Sequence, residues 1–168
     1  MKIVFLTNNG MFCFMTNNKY LSLIFILLAT FSASAVGSLV TISSKEPWYS
    51  EIILPSFNPP SWVFGPVWTT LYFLMSIAAW YAWTKNNELR LLKVYFLHIF
   101  FNAIWSVIFF GFHMIGLALI DLIIILAFII FLMNKYFTNY KLSFYLFIPY
   151  LLWTSYALIL NFSIFILN

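Results

Sequence analysis

Charge is what this sequence has least of. Only 7% of its 168 residues are charged, eight Lys or Arg and four Asp or Glu, against 64% hydrophobic residues. Soluble domains carry roughly 25% charged residues, so a water-soluble globule is excluded. A disordered chain is excluded too, because ample apolar surface is available to bury. Cysteine is nearly missing: Cys13 stands alone, which rules out an internal disulfide framework and a cysteine-cluster metal site. Strict apolar–polar alternation is missing, and with it the strands of about ten residues that build a membrane β-barrel. No phosphate-binding loop, metal-ligand spacing or Ser-His-Asp order occurs, so phosphoryl transfer, zinc chemistry and hydrolysis gain no support.

What is present is apolar and aromatic, with 23% Phe, Trp and Tyr and seven tryptophans. A bilayer core of ~30 Å needs about 20 apolar residues per helix. Five runs meet that length: Tyr20–Val40, Ser61–Trp83, Val94–Phe112, Ile115–Met133 and Leu142–Leu160. The predicted fold class is therefore all-α, an integral membrane bundle of five transmembrane helices with a long ordered loop between the first two. Short connections after spans two, three and four predict that consecutive helices run antiparallel as neighbours.

The basic residues set an orientation. Lys2, Lys19, Lys85, Arg90, Lys93, Lys135 and Lys141 fall on the N-terminal side, and Lys45 falls alone on the other. The positive-inside rule places the N-terminus in the cytoplasm and the 41–60 loop outside, in what reads as a bacterial cell membrane, with an outer or organellar membrane still open. The basic residues are spread over short loops rather than gathered in one patch, so no nucleic-acid partner is expected. Residues 1–18 read as an N-terminal extension in which Met15, directly before Thr16-Asn-Asn-Lys19, is a candidate natural start. Lys19, the apolar run and Ala33-Ser-Ala35 also resemble a signal peptide with its cleavage site. The apolar run continues to Val40, which fits a retained span equally well.

The 41–60 loop carries Pro47, Trp48, Tyr49, Pro55, Pro59 and Pro60. Proline fixes backbone φ and disfavours helix, so this segment reads either as a packed lid or as an interfacial loop with aromatics at the headgroups. Within the spans, polar residues are few and costly. His98, Asn102, Trp105 and Phe109 share one helical face of span three; Tyr150, Trp153, Ala157 and Asn161 repeat that spacing in span five. Span two offers Trp68, Tyr72, Met75 and Ala79, and span four offers Asp121 as the one intramembrane carboxylate. Ala29, Ala33 and Gly37 form a small-residue seam on span one. Together these faces make either an aromatic pocket for a flat, mostly apolar ligand or the bundle's own packing core. His98 reads as a haem ligand or as a cross-helix hydrogen-bond partner, and Asp121 as a proton carrier or a brace between helices. His113, in a two-residue turn, is expected at the solvent or the headgroups. Trp62, Trp80 and Trp83 lie near span ends and read as belt anchors; Trp68, Trp105 and Trp153 lie within spans, and Trp48 in the stiff loop.

The segment Pro55-Ser-Phe-Asn-Pro-Pro-Ser-Trp-Val-Phe-Gly-Pro-Val-Trp-Thr-Thr-Leu-Tyr72 resembles the translocator protein family, also called the tryptophan-rich sensory protein or peripheral-type benzodiazepine receptor family. The resemblance continues through Asn102-Ala-Ile-Trp-Ser106, Phe109-Phe-Gly-Phe-His113, Gly116-Leu-Ala-Leu-Ile-Asp121, Pro149-Tyr-Leu-Leu-Trp153 and Leu160-Asn161. It implies a five-helix bundle with the 41–60 loop as a lid, and porphyrins such as protoporphyrin IX as ligands. Carried over by position, it implies ligand contacts at Trp48, Pro55, Trp68, Asn102, Trp105, Ala118, Asp121, Trp153 and Ala157, with His98, Tyr72 and Tyr150 as further candidates. It ties Trp68 and Trp153 to light-dependent porphyrin breakdown, should that occur, and implies a homodimer. No cofactor beyond the porphyrin ligand and no metal is expected. The chain departs from the family in two places. His98 stands where many members have Gln, and Leu158–Asn168 lacks the Tyr and basic residue of the animal sterol-recognition pattern, so high-affinity cholesterol binding does not carry over. Three functions follow as expectations: a tetrapyrrole receptor or carrier serving porphyrin transport or stress sensing, a light- and oxygen-dependent porphyrin-degrading enzyme, and a regulatory scaffold whose basic side meets a partner protein or anionic lipid.

Overall fold

The computed structural model describes residues 18–168, and no strand occurs among them. The elements are α1 (Lys19–Ser44), α2 (Trp48–Glu51), α3 (Ser61–Asn86), α4 (Leu89–Ser106) continuing into a π-helical turn (Val107–Gly111), α5 (Ile115–Asn139) and α6 (Lys141–Leu167). All but α2 are long and apolar enough to cross a membrane. The readings of residues 1–14 and of Met15 as a start lie outside the described residues; Ala33-Ser-Ala35 lies inside the unbroken α1.

Local chemistry sets the helix ends. Asn18 caps α1, its side-chain oxygen accepting the amide of Tyr20 at 2.9 Å. Asn87, at φ 50°, closes α3 in the left-handed conformation that Asn tolerates. His113, at φ 57°, turns the chain between the π turn and α5. The helices run past several of the predicted spans: α1 ends at Ser44 rather than Val40, α3 at Asn86 rather than Trp83, and α4 begins at Leu89 rather than Val94. Likewise α5 reaches Asn139 and α6 reaches Leu167, beyond Met133 and Leu160. An apolar window finds the hydrocarbon core; the ends of α1, α3, α4 and α5 run past it through polar residues, whereas α6 continues beyond Asn161 through the mostly apolar 162–167 stretch.

The five long helices form a ring in the order α1–α3–α6–α5–α4, closed by α4 against α1. This corrects the expectation that consecutive helices are always neighbours. The pairs α4–α5 and α5–α6 do pack together, but α3 and α4 touch sparsely, because α1 packs against both. A short connection fixes only the ends it joins. Gly37 shows how closely α1 approaches α4: a Cβ there would lie 3.1 Å from Ser106 Oγ, so this end of the small-residue seam serves packing inside the bundle.

Two buried clusters result. The larger runs through the bundle from Ile26 to Tyr136, Tyr140 and Tyr150. The smaller comprises Tyr49, Phe109, Ala118, Leu160 and Ile164, with Trp48, Ile52, Leu54, Phe64 and Trp105 packed against it. It lies at the end covered by residues 45–60. Ile53 exchanges backbone hydrogen bonds with the Asn168 side chain at 2.9 and 3.1 Å. Tyr156 Oη donates to the Phe57 carbonyl at 2.7 Å, and Lys45 Nζ donates to Ser61 Oγ at 3.2 Å. The segment is a packed lid. Six described basic residues (Lys19, Lys85, Arg90, Lys93, Lys135, Lys141) lie at the opposite end with Glu88, whereas Lys45, Glu46 and Glu51 share the lid end.

The tryptophans divide differently from the expectation. Trp62 is 75% exposed, as a belt residue should be, but Trp83 is 4% exposed and belongs to the core. Because α3 continues past it, Trp83 sits a turn inside the helix end, where the side chain packs inward. Trp80 is half-buried and donates its indole N–H to the Lys19 carbonyl at 2.8 Å, tying α3 to the start of α1.

Candidate functional site

The aromatic and polar faces read from spans two, three and five do converge. At mid-bundle, Tyr72 of α3 donates to Asn102 Oδ1 of α4. Asn102 Nδ2 donates to Tyr150 Oη of α6 at 3.0 Å, and Tyr150 Oη meets His98 Nε2 at 2.7 Å. His98 is therefore a buried hydrogen-bond partner across helices. Trp68 stacks on Tyr72 with centroids 5.5 Å apart and stands edge-on to Tyr150 at 6.3 Å. This arrangement joins three helices through an amide, an imidazole, two phenols and an indole.

Toward the lid the composition turns aromatic. Trp105 stacks on Phe109 at 5.1 Å, and its indole N–H donates to Asn161 Oδ1 of α6 at 3.2 Å. Asn161 also donates to the Ile115 carbonyl at 3.0 Å, holding α6 against the start of α5. The π turn aids this packing. By widening the helix it lets the adjacent Phe109 and Phe110 both reach Trp105, at 5.1 and 6.0 Å. From the lid, Trp48 meets Phe109 edge-on at 5.4 Å and stacks on His113 at 4.4 Å. His113 is exposed, as expected, but serves as a platform for the lid. Tyr49 packs on Phe109 and Phe110 and donates to Asn58 Oδ1 at 3.3 Å. Burial pushes the Tyr49 phenol above its ordinary value; the Asn58 bond opposes that shift and the Glu46 charge adds to it.

The other candidates fall around this axis. Trp153 is half-buried between Phe64 of α3 at 6.0 Å and Tyr156 at 5.6 Å. Ala118 is fully buried in the lid-end cluster, and Ala157 packs against the larger one. Pro55 is half-buried in the lid, its carbonyl accepting the Asn58 amide at 2.9 Å. Asp121 is 4% exposed, and its Oδ2 has no hydrogen-bond partner among the described residues. A small cavity lined by Ala79, Trp83, Glu88, Leu92 and Tyr136 lies toward the basic end, and of the pocket faces read from the sequence it includes Ala79.

Several contributors were not read as ligand-site residues: Phe64, Phe110, Tyr49, Tyr156 and Asn161. Asn161 carried a signal, one helical turn beyond Ala157 on the same face. The inward turn of Phe110 carried none, because it depends on the π-helical register.

The pattern of the TspO/MBR family matches residues 24–167. A tryptophan-rich protein TspO of Archaeoglobus fulgidus is 37% identical over 150 residues, covering 88% of this chain and 97% of that protein. A tryptophan-rich sensory protein of Cereibacter sphaeroides is 35% identical over 144 residues, covering 84% and 91%. A translocator protein of Homo sapiens is 31% identical over 134 residues, covering 77% and 79%.

Proposed function

The chain belongs to the TspO/MBR family of multi-pass membrane proteins, and from that premise we propose that it binds tetrapyrroles, protoporphyrin IX and haem-like rings, as a receptor or carrier for porphyrin transport or stress sensing. The observation that carries this reading is a pair of aromatic groups on one side of the bundle, Trp68 on Tyr72 with Asn102 beside them at mid-bundle, and Trp105, Phe109 and the lid's Trp48 above. Flat π faces and one carboxamide suit a planar ring with polar edge groups. The lid would cover the ligand and exclude water. The basic end lies in the cytoplasm of a bacterial cell on this reading, so the lid faces outward. A homodimer is part of it, with exposed apolar side chains of α1 such as Leu28, Leu39 and Ile42 facing lipid or a second copy.

Titration of the protein in lipid nanodiscs with protoporphyrin IX tests the reading. Saturable quenching of tryptophan fluorescence at micromolar ligand is expected, and absence of quenching would refute it. A second reading, light- and oxygen-dependent breakdown of the bound ring, draws on the tyrosine neighbours of Trp68 and Trp153 at 5.5 and 5.6 Å. Illumination of the complex should then bleach the porphyrin band, more slowly in Trp153→Phe.

A further inference from the structure

Tyr72 occupies both of the features that a ring-shaped ligand needs at mid-bundle. Its phenol donates to Asn102 Oδ1, and its ring lies against Trp68 at 5.5 Å with planes 29° apart. Asn102 is otherwise committed through Nδ2 to Tyr150 and is only 6% exposed. A carboxamide oxygen can accept through two lone pairs, but the Tyr72 hydroxyl is the one partner observed on Asn102 Oδ1, and burial leaves little room for a second beside it. A ligand reaching Asn102 Oδ1 therefore competes with the Tyr72 hydroxyl, and one lying on the adjacent face of Trp68 competes with the Tyr72 ring.

We propose that Tyr72 is an internal stand-in for the ligand, a gate that closes the pocket until a planar molecule with a hydrogen-bond donor on its edge displaces it from Asn102 and Trp68. This rests on the tetrapyrrole-binding reading and specifies its chemistry. The polarity of the network sets the donor requirement. Tyr72 donates to Asn102 Oδ1, and Asn102 Nδ2 donates to Tyr150 Oη, which also meets His98 Nε2. Replacing Tyr72 there demands another donor at Asn102 Oδ1, such as a protonated propionic acid on the edge of the ring. An ionised carboxylate does not supply one. The displaced ring moves toward α1, where Phe31 is its contact at 6.2 Å. Of the five long helices α1 buries the smallest share of its apolar stretch, so it yields most readily.

The test compares wild type and Tyr72→Phe by protoporphyrin IX titration in nanodiscs. The variant keeps the ring and removes the competing hydroxyl, so binding about five- to tenfold tighter is expected, the scale of one hydrogen bond. Binding by the variant alone also supports the gate. Equal or weaker binding by Tyr72→Phe overturns the gate and leaves the tetrapyrrole reading standing; binding by neither protein overturns both. A second measurement does not depend on the stability of the variant. With 3-fluorotyrosine at position 72 of the full chain, the gate requires its fluorine resonance to shift when protoporphyrin IX is added to saturation. An unmoved resonance with bound porphyrin would contradict it.

Discussion

The mid-bundle and the lid end are built from similar residues to opposite effect. Inside the bundle, polar groups are joined across helices: Thr30 to Tyr95 at 2.7 Å, Tyr72, Asn102, Tyr150 and His98 in one network, and, nearer the basic end, Ser143 to the Ala78 carbonyl at 2.7 Å. His98 Nδ1 and Thr154 Oγ1 have no partner among the described residues. At the lid end the rings stack, Trp48, Trp105 and Phe64 are half-buried, and hydrogen bonds such as Ile53 to Asn168 and Tyr156 to Phe57 fasten the covering segment to the helix ends. Lipid gives helices no hydrophobic reason to associate, so packing and hydrogen bonds must hold the bundle. The interior supplies those. Stacked rings tolerate sliding and exchange, which suits the opening that the proposed function requires of this end.

The sharpest contrast comes from two aromatic deletions. Phe147 is fully buried against Tyr136, His98 and Tyr150, so Phe147→Ala should cost about 3–5 kcal/mol of stability. It should lower the melting temperature in detergent sharply. Trp48→Ala should leave that temperature nearly unchanged while weakening protoporphyrin binding about tenfold, the loss of roughly 1.4 kcal/mol of ring contact. Equal destabilisation by the two would erase the distinction between the regions.

Tyr150→Phe probes the network next. It removes the hydroxyl that serves both Asn102 and His98 and leaves two buried polar nitrogens without that partner. A loss of about 1–2 kcal/mol is expected in thermal unfolding. Retained stability would mean that the network contributes nothing to holding α3, α4 and α6 together.

The smallest effect is at the lid and depends on pH. The Tyr49 phenol is raised by burial, against the Asn58 bond and with the Glu46 charge. The packed lid therefore holds this proton more tightly than the open lid does. Below the ordinary tyrosine value of about 10 nothing changes; above it, the open form ionises first and closure weakens as pH rises. Proteolysis within residues 45–60 should accelerate in that window, and Tyr49→Phe should abolish the acceleration.

These regions were unequally legible in the sequence. The spans followed from the length of apolar runs, because hydrocarbon imposes that demand on any chain. The packed lid was one of two readings of Pro55, Pro59 and Pro60, and its contacts with Phe109 and Tyr156 decided between them. The faces carrying Asn102 and Tyr150 were visible as helical spacing. The ring order was not, since the short α3–α4 connection says nothing about α1 lying against both helices. Trp83 was misread as a belt anchor because sequence position locates a residue along a helix but does not say which way it faces. The π turn at Val107–Gly111 left no compositional trace.

On the proposed function the ligand enters beneath the lid and reaches Trp68 and Asn102 at mid-bundle, while the basic end remains a fixed base. Hydrogen–deuterium exchange of the protein in nanodiscs, with and without saturating protoporphyrin IX, tests it most directly. Slowed exchange is expected in residues 45–60 and 107–114, with residues 86–90 and 138–142 unchanged. Protection confined to the basic-end connections, with the lid unaffected by bound porphyrin, would contradict the account.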